Sequence, residues 1–226
     1  MSRSTSRRRG SSRRERIDLP THRRILDEAE HLIGLKGVYG FTLRDIAVPL
    51  GVQVPAIYKH YRSRDDVLIE VSKRYIALLS RQFAPAPGLG PLEALRAGLD
   101  EFVSFMARRP AYVRLALADF ATPGGGMEYV KLAAGGSFRD NFVGGPLAAM
   151  HTRLRRVLLA GARSGVFRHV RASDAYGLLK AALLIRLVFP DDQMLTRPVR
   201  RSQLRALQDW LWQVLVRWLT PAGSAF

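Results

Sequence analysis

The stretch TLRDIAVPLGVQVPAIYKHYRSRDDVL, which begins at Thr42, decides the fold because two helix-start signals flank a glycine turn within it. Thr42 followed by Asp45, and Ser63 followed by Asp66, have the spacing of a capping box, with Asp in place of the usual Glu. This pattern predicts short helices joined by a tight turn, which is a helix-turn-helix. The second helix of that motif enters the major groove of DNA.

Two prolines set the limits of the helices in this motif. Pro49 removes a hydrogen bond late in the first of them, so we expect that helix to kink or to end early. Pro55 suits the first position of the next helix, where its missing N–H costs nothing, and Val54 before it suits the cap position. We therefore expect a short third helix from about Pro55 to Tyr61, after the turn at Gly51.

Aromatic and cationic side chains crowd the end of this third helix. Helix N-termini, cations and hydroxyl groups are the features that hold phosphates in protein–DNA complexes. Arg64 fits this interpretation, since a cation in the first turn of a helix opposes the helix dipole and a phosphate would compensate it. The alternative is a solvated basic helix in another all-α protein. The predicted contacts to the DNA backbone are Thr42, Tyr58, Lys59, His60 and Arg64.

Base recognition is expected from the start of the third helix and from its neighbours. Glutamine can pair with adenine, while valine and alanine can contact the methyl group of thymine. The predicted base contacts are Arg44, Gln53, Val54 and Ala56, with Lys59 as a further candidate.

The same stretch resembles the tetracycline-repressor (TetR) family of bacterial regulators over about residues 21–68. The residues that carry the resemblance are Thr42, Ile46, Ala47, Gly51, Val52, Ile57, Tyr58, His60, Tyr61, Arg64 and Leu68. The chain departs from the usual pattern at Gln53, Pro55, Ala56, Tyr61 and Arg64, which puts the operator sequence in doubt rather than the fold.

Charge and composition limit the function classes. The net charge is +17, but residues 17–66 are neutral, so the DNA argument rests on the placement of side chains and not on bulk charge. The seven arginines of residues 1–16 form either an arm that touches DNA or a solubilising tail. The chain has no cysteine, no apolar leader and no run of 18 apolar residues. We therefore expect a cytoplasmic protein that does not enter a membrane.

The remainder of the chain shows helical periodicity, glycine or proline breaks and no strand alternation. We expect an all-α fold of about nine helices, divided into a disordered basic arm (1–19), a helix-turn-helix DNA-binding domain (20–66, motif 42–61) and a helical domain (67–226). The resemblance implies that this last domain binds a small-molecule effector and forms a homodimer.

Two sets of residues follow from that implication. The helices expected at 173–189 and 201–219 would pair with those of a second copy, although they could also pack only on their own core. The predicted interface residues are Leu179, Leu183, Leu187, Leu204, Leu211, Leu215 and Trp218. The predicted effector pocket, in which each residue could instead be ordinary core, comprises Phe102, Phe105, Met106, Tyr112, Phe120, Phe138, Phe142, Met150, His151 and Arg186. Arg186 could alternatively pair with an acidic residue or lie exposed.

The expected function is a sequence-specific transcriptional regulator, most simply a repressor that leaves a palindromic operator when its effector binds. The expected partners are double-stranded DNA, a small-molecule effector of unknown identity and a second copy of the chain. A DNA-binding architectural protein without an effector is the alternative. The sequence contains no P-loop, His-x-x-x-His pair or Gly-x-Ser-x-Gly elbow, so we expect neither an enzyme nor a bound cofactor or metal.

Overall fold

The computed structural model describes residues 12–84, 87–120, 145, 147–188 and 199–221, with side chains from His22 onward except those of residues 119 and 120. Within these ranges the chain forms nine α-helices and no strand, which confirms the all-α prediction. The helices are α1 (Ser12–Lys36), α2 (Leu43–Ala47), α3 (Val54–Tyr58), α4 (Arg64–Leu79), α5 (Pro91–Ala107), α6 (Pro110–Phe120), α7 (Ala148–Arg163), α8 (Ala172–Val188) and α9 (Arg201–Leu219). None of the helices in the described part is long and apolar enough to span a membrane.

Both predicted capping boxes are present and fix the starts of α2 and α4. The Thr42 hydroxyl accepts a hydrogen bond from the Asp45 amide at 3.3 Å, and the Thr42 amide donates to the Asp45 carboxylate at 2.7 Å. Ser63 and Asp66 make the reciprocal pair at the start of α4, with distances of 3.1 Å in both directions. These bonds satisfy amides that a helix N-terminus otherwise leaves unpaired.

The turn between α2 and α3 is tight and depends on its glycine. Helix α2 ends at Ala47, two residues before Pro49, as the proline predicts. Gly51 has a φ of +66°, a conformation that costs other residues energy, and the amide of Val52 returns to the carbonyl of Ala47 at 3.1 Å. The short helices therefore keep a fixed angle to each other.

Helix α1 begins at Ser12, consistent with the good helix propensity of arginine and glutamate, while the basic arm of residues 1–19 stays a prediction. The predicted bounds of the third helix are wrong. Helix α3 runs from Val54 to Tyr58, so Gln53 and not Val54 occupies the cap position. It ends before Tyr61 because the chain must become extended at Ser63 (φ −149°, ψ 169°) to start α4.

Helix α1 joins the DNA-binding domain to the helices that follow it. Its apolar face is buried against α4 and α6 by Ile25, Leu26, Ala29, Leu32 and Ile33. Polar contacts at this junction come from α4 and α6. Arg74 binds Asp27 at 2.8 Å and lies 3.7 Å from Glu30, and the buried hydroxyl of Tyr112 donates to the Glu30 carboxylate.

Helices α8 and α9 pack mainly on the chain's own core. Five of the seven residues predicted for the dimer interface are at most 1% exposed, so their side chains are already covered within one chain: Leu179, Leu183, Leu187, Leu211 and Leu215. Leu204 and Trp218 are half-buried. A helical stripe of leucines is equally suited to an intrachain core, so the position of the dimer interface stays a prediction.

Candidate nucleic-acid interface

A surface groove of about 590 Å³ lies where the start of α2, helix α3 and the start of α4 meet. We call it the α2–α4 groove. Its lining includes five of the nine residues predicted to contact DNA, which are Thr42, Arg44, Val54, Tyr58 and Arg64. The other lining residues are Phe41, Leu43, Arg62, Ser63 and Asp65. Two helix N-termini, which favour anions, therefore open onto one surface.

Thr42 is already engaged by its own helix cap. Its hydroxyl donates to the Asp45 carboxylate at 2.6 Å, and Lys36 binds the same carboxylate at 2.7 Å. The hydrogen bonds from Lys36 and Thr42 hold the pKa of Asp45 far below its usual range. Asp45 therefore stays ionised, and the first task of Thr42 is to fix the direction of α2.

Arg64 has partners within the chain, so a phosphate is not needed to explain its position, and its predicted contact with the DNA backbone stays a prediction. Its guanidinium lies 5.7 Å from the centre of the Tyr39 ring, donates weakly to the Tyr39 carbonyl at 3.4 Å and lies 3.7 Å from the Asp65 carboxylate. These contacts offset its position near the N-terminus of α4. They also hold the guanidinium at the rim of the α2–α4 groove.

The other predicted contacts differ in exposure. Arg44, Gln53, Tyr58 and Lys59 are exposed and free to reach a partner, whereas Val54, Ala56 and His60 are half-buried. Tyr58 is the most prominent, with 55% of its surface exposed although it is aromatic.

Sequence reasoning missed the contacts that attach the end of α3 to α1. The ring of His22 lies 6.3 Å from that of His60, and its Nε2 atom lies 2.7 Å from the Tyr61 hydroxyl. Burial raises the pKa of the Tyr61 hydroxyl, so it stays protonated. A periodic pattern assigns Tyr61 to the core but cannot show that a histidine 39 residues away meets it.

The predicted effector residues are divided between core and surface. Phe102, Met106, Tyr112 and Met150 are at most 1% exposed, while Phe105 and His151 are half-buried. Burial, with a smaller effect of Arg155, lowers the pKa of His151. Arg186 is exposed and lies 5.5 Å from the centre of the Trp210 ring, so it does not point into the core. The side chain of Phe120, and Phe138 and Phe142, lie outside the described residues.

Three buried polar residues in this domain were not predicted. Ser72 on α4 is fully buried and its hydroxyl has no hydrogen-bond partner among the described residues, while Gln82 after α4 and Lys180 on α8 are each 5% exposed. A single sequence gives no signal that separates these three residues from surface residues. The described residues contain no group of three His, Asp or Glu side chains that could hold a metal ion.

Comparison with known proteins gives a family match for the N-terminal part of the chain. Residues 25–71 match the family model described as bacterial regulatory proteins, tetR family. No curated protein matches the chain in sequence.

Several solved structures share the fold at low sequence identity. A tetR-family regulatory protein from Rhodococcus RHA1 has a TM-score of 0.66 and 19% identity, over 88% of this chain and 97% of that one. The regulator FadR of Bacillus subtilis, in complex with stearoyl-CoA, has a TM-score of 0.60 and 17% identity, over 87% and 98%. AibR, in complex with isovaleryl coenzyme A and operator DNA, has a TM-score of 0.63 and 17% identity, over 86% and 97%.

Proposed function

We propose that this chain acts as a cytoplasmic repressor. It belongs to the TetR family of bacterial regulators through its N-terminal domain, and it is a DNA-binding transcriptional regulator. In this proposal, a homodimer binds a palindromic operator and leaves it when a small molecule binds the C-terminal domain. The α2–α4 groove carries the proposal, because it gathers two helix N-termini and the side chains of Arg44, Tyr58 and Arg64 on one face.

Each side chain has a proposed task in DNA binding. Tyr58, Lys59, His60 and Arg64 would contact phosphates and fix the register of the motif, and the capped N-terminus at Thr42 would add backbone amides. Arg44 and Gln53 are exposed next to the start of α3 and would reach base edges. The half-buried Val54 and Ala56 would contact thymine methyl groups.

A dimer needs an apolar surface that the monomer leaves uncovered. Helix α8 presents Gly177, Ala181 and Ile185 on its exposed side, and Ile185 is 61% exposed. Trp210 of α9, which is 36% exposed, adds an aromatic ring. We propose this face, which replaces the buried leucines, as the dimer interface. Two-fold symmetry would then place two α3 helices about 34 Å apart, or a multiple of that, which matches successive turns of one face of DNA.

The polar contacts at α1 would couple effector binding to the position of the DNA-binding helices. Arg74 on α4 and Tyr112 on α6 both bind carboxylates of α1, and Arg114 on α6 donates to the Gly34 carbonyl at 3.0 Å. A shift of α4 or α6 would therefore move α1 and the short helices packed on it. Such a shift changes operator affinity only if the effector favours one arrangement over the other.

Acyl thioesters of coenzyme A are the effector class that we propose to test first. Two structural relatives were solved with such ligands, stearoyl-CoA and isovaleryl coenzyme A. The net charge of +11 over residues 67–226 favours an anionic ligand, and the apolar interior around Phe102, Met106 and Met150 suits an acyl chain.

Selection of bound duplexes from a random pool would test the function. A sequence-specific dimer should enrich an inverted repeat whose half-sites are about one helical turn, or a multiple, apart. Pools without any consensus after several rounds would instead support an architectural protein that binds DNA through charge alone. The selected duplex then serves to screen acyl thioesters for release.

A further inference from the structure

A second cavity, of about 1070 Å³, lies between the DNA-binding domain and the helices that follow it. We call it the junction cavity. Its walls come from the second half of α1, the end of α4, the end of α5 and the start of α6, with Val199 at its edge. It is separate from the α2–α4 groove, with which it shares no lining residue.

One wall of the junction cavity is aromatic. The rings of Phe105 and Tyr112 both line it, with centres 5.9 Å apart and planes tilted by 32°, and Tyr75 stacks on Phe105 in parallel at 6.2 Å. Tyr112 is buried, Phe105 is half-buried, and Leu35, which also lines the cavity, is 60% exposed. A planar apolar ring system that packs on Phe105 and Leu35 would remove exposed apolar surface from water.

The charged side chains around the junction cavity differ in whether they already have partners. Asp27 and Glu30 are already bound by Arg74 and Tyr112. Arg108 and Arg109 are exposed and have no carboxylate partner among the described residues; Arg109 lies 5.5 Å and 5.6 Å from the centres of the Phe105 and Tyr112 rings.

The remaining acid is distant from these arginines. Glu101 also lines the cavity, but it lies seven residues before Arg108 on α5, or about 10 Å along the helix axis. The start of α6, with the positive end of its dipole, borders the cavity directly after Arg109. An anionic group is therefore favoured at the Arg108–Arg109 end.

A buried acceptor completes the site. Gln82 is 5% exposed and lines the cavity, and its side-chain oxygen Oε1 has no hydrogen-bond partner among the described residues. Exchanging the positions of the Gln82 side-chain oxygen and nitrogen would lose a hydrogen bond, because the nitrogen donates to the Leu78 carbonyl at 3.3 Å. Arg153 holds the Gln82 backbone carbonyl at 3.1 Å and fixes the residue in place. A buried acceptor without a donor is costly, so a ligand that brings an N–H gains a favourable contact.

We propose that the junction cavity is a binding site for planar aromatic carboxylic acids that carry an N–H donor. The ring system packs on Phe105 and Leu35, the carboxylate binds Arg108 and Arg109, and the N–H donates to Gln82. The lining includes Phe105 and Tyr112, two of the residues predicted for the effector pocket, but not Phe102, Met106 or Met150, around which an acyl chain is proposed above. The site depends only on the geometry of the junction.

Isothermal titration calorimetry on the full chain without DNA tests the site. The probe is indole-3-acetate, which has all three groups, and 1-naphthaleneacetate is the matched probe that lacks the N–H. We expect indole-3-acetate to bind with a Kd between ~10 µM and ~1 mM, as is ordinary for a ligand of this size, and more tightly than the naphthalene analogue.

Two test variants and one control variant separate the contributions of the arginines and of Gln82 to the binding affinity. The double variant Arg108→Gln/Arg109→Gln should weaken binding at least ~10-fold, since it removes both cations near the carboxylate. Gln82→Met keeps the volume and should abolish the preference for the indole over the naphthalene. The control Arg163→Gln, an exposed arginine at the end of α7 that does not line the cavity, should change nothing. No binding of indole-3-acetate at ~10 mM, or unchanged affinity in the double variant, would overturn the proposal.

Discussion

Replacement of Tyr112 with Phe tests whether the polar contacts at α1 hold the two parts of the chain together. The change removes one hydroxyl and leaves the ring packed between Tyr75 and Phe105. Tyr112 is 1% exposed, and its hydroxyl donates to the ionisable carboxyl of the half-buried Glu30. A hydrogen bond to a charged group contributes about 1.5–3 kcal/mol to stability.

We expect the loss to fall near the middle of that range. Glu30 keeps a more distant partner in Arg74, at 3.7 Å, so its carboxylate does not lose all compensation. The variant should therefore unfold with a free energy lower by about 2 kcal/mol, which for a chain of this size lowers Tm by about 4–8 °C.

Urea unfolding followed by circular dichroism measures this difference, provided that the transition is two-state. The matched control is Tyr58→Phe, because Tyr58 is 55% exposed and its hydroxyl has no hydrogen-bond partner among the described residues. The control should stay within about 0.5 kcal/mol of the native chain. An equally small effect of Tyr112→Phe would refute the view that this bond fastens α6 to α1.

Three further predictions concern the start of α2, a close contact in α7 and the dimer face. Asp45 has a pKa that Lys36 and Thr42 lower on folding, so its contribution to stability is present above the unfolded pKa of about 3.9 and is lost as the pH falls below it. The free energy of unfolding should thus fall less steeply with decreasing pH in Asp45→Asn than in the native chain, and identical slopes would contradict this account of the cap. Gly161→Ala should destabilise the protein by about 1–3 kcal/mol in urea unfolding, because the added Cβ would lie 2.0 Å from the Phe167 ring. Gly34→Ala, where the nearest atom is at 3.7 Å, should instead stabilise it by about 0.5–1 kcal/mol, and equal effects of the two would contradict the packing described. Ile185→Glu should convert a dimer to a monomer in sedimentation equilibrium, while Leu89→Glu, an equally apolar exposed site outside the proposed face, should not; a dimer that survives Ile185→Glu would place the interface elsewhere.

Local signals in the sequence predict the DNA-binding domain well, because its structure depends on short-range chemistry. The two capping boxes, the left-handed Gly51 and the early end of α2 before Pro49 all involve residues within a few positions of one another. The predicted end of α3 is wrong because Ser63 has to be extended to cap α4, so the chain leaves the helix earlier.

Side-chain partners that are distant in the chain could not be predicted. Arg64 has an unfavourable position by local rules, yet Tyr39, which is 25 residues away, supplies both a ring and a carbonyl. Likewise, Arg186 appears buried within an apolar run, but the helix turns it outward to Trp210.

The leucines of α8 and α9 show a further limit. A heptad-like stripe predicts that a helix face is covered, but it does not say whether the cover is the same chain or another copy. The structure assigns Leu179, Leu183 and Leu211 to the chain's own core and leaves Ile185 exposed. The residues proposed for the effector pocket have the same ambiguity, since ordinary core and cavity wall have the same apolar composition.

Sequence-specific DNA binding is tested by fluorescence-anisotropy titration of the protein on its selected duplex and on a scrambled duplex of equal length, at several salt concentrations. We expect the scrambled duplex to bind at least ~10³-fold more weakly at physiological salt. Lys59→Ala should reduce the salt slope by about one unit on both duplexes, while Lys73→Ala, at an exposed lysine of α4 paired with Glu70 at 2.5 Å, should leave it unchanged. Equal binding of both duplexes, or a Lys59→Ala protein with altered sequence preference and an intact salt slope, would show that the protein does not read DNA through this groove.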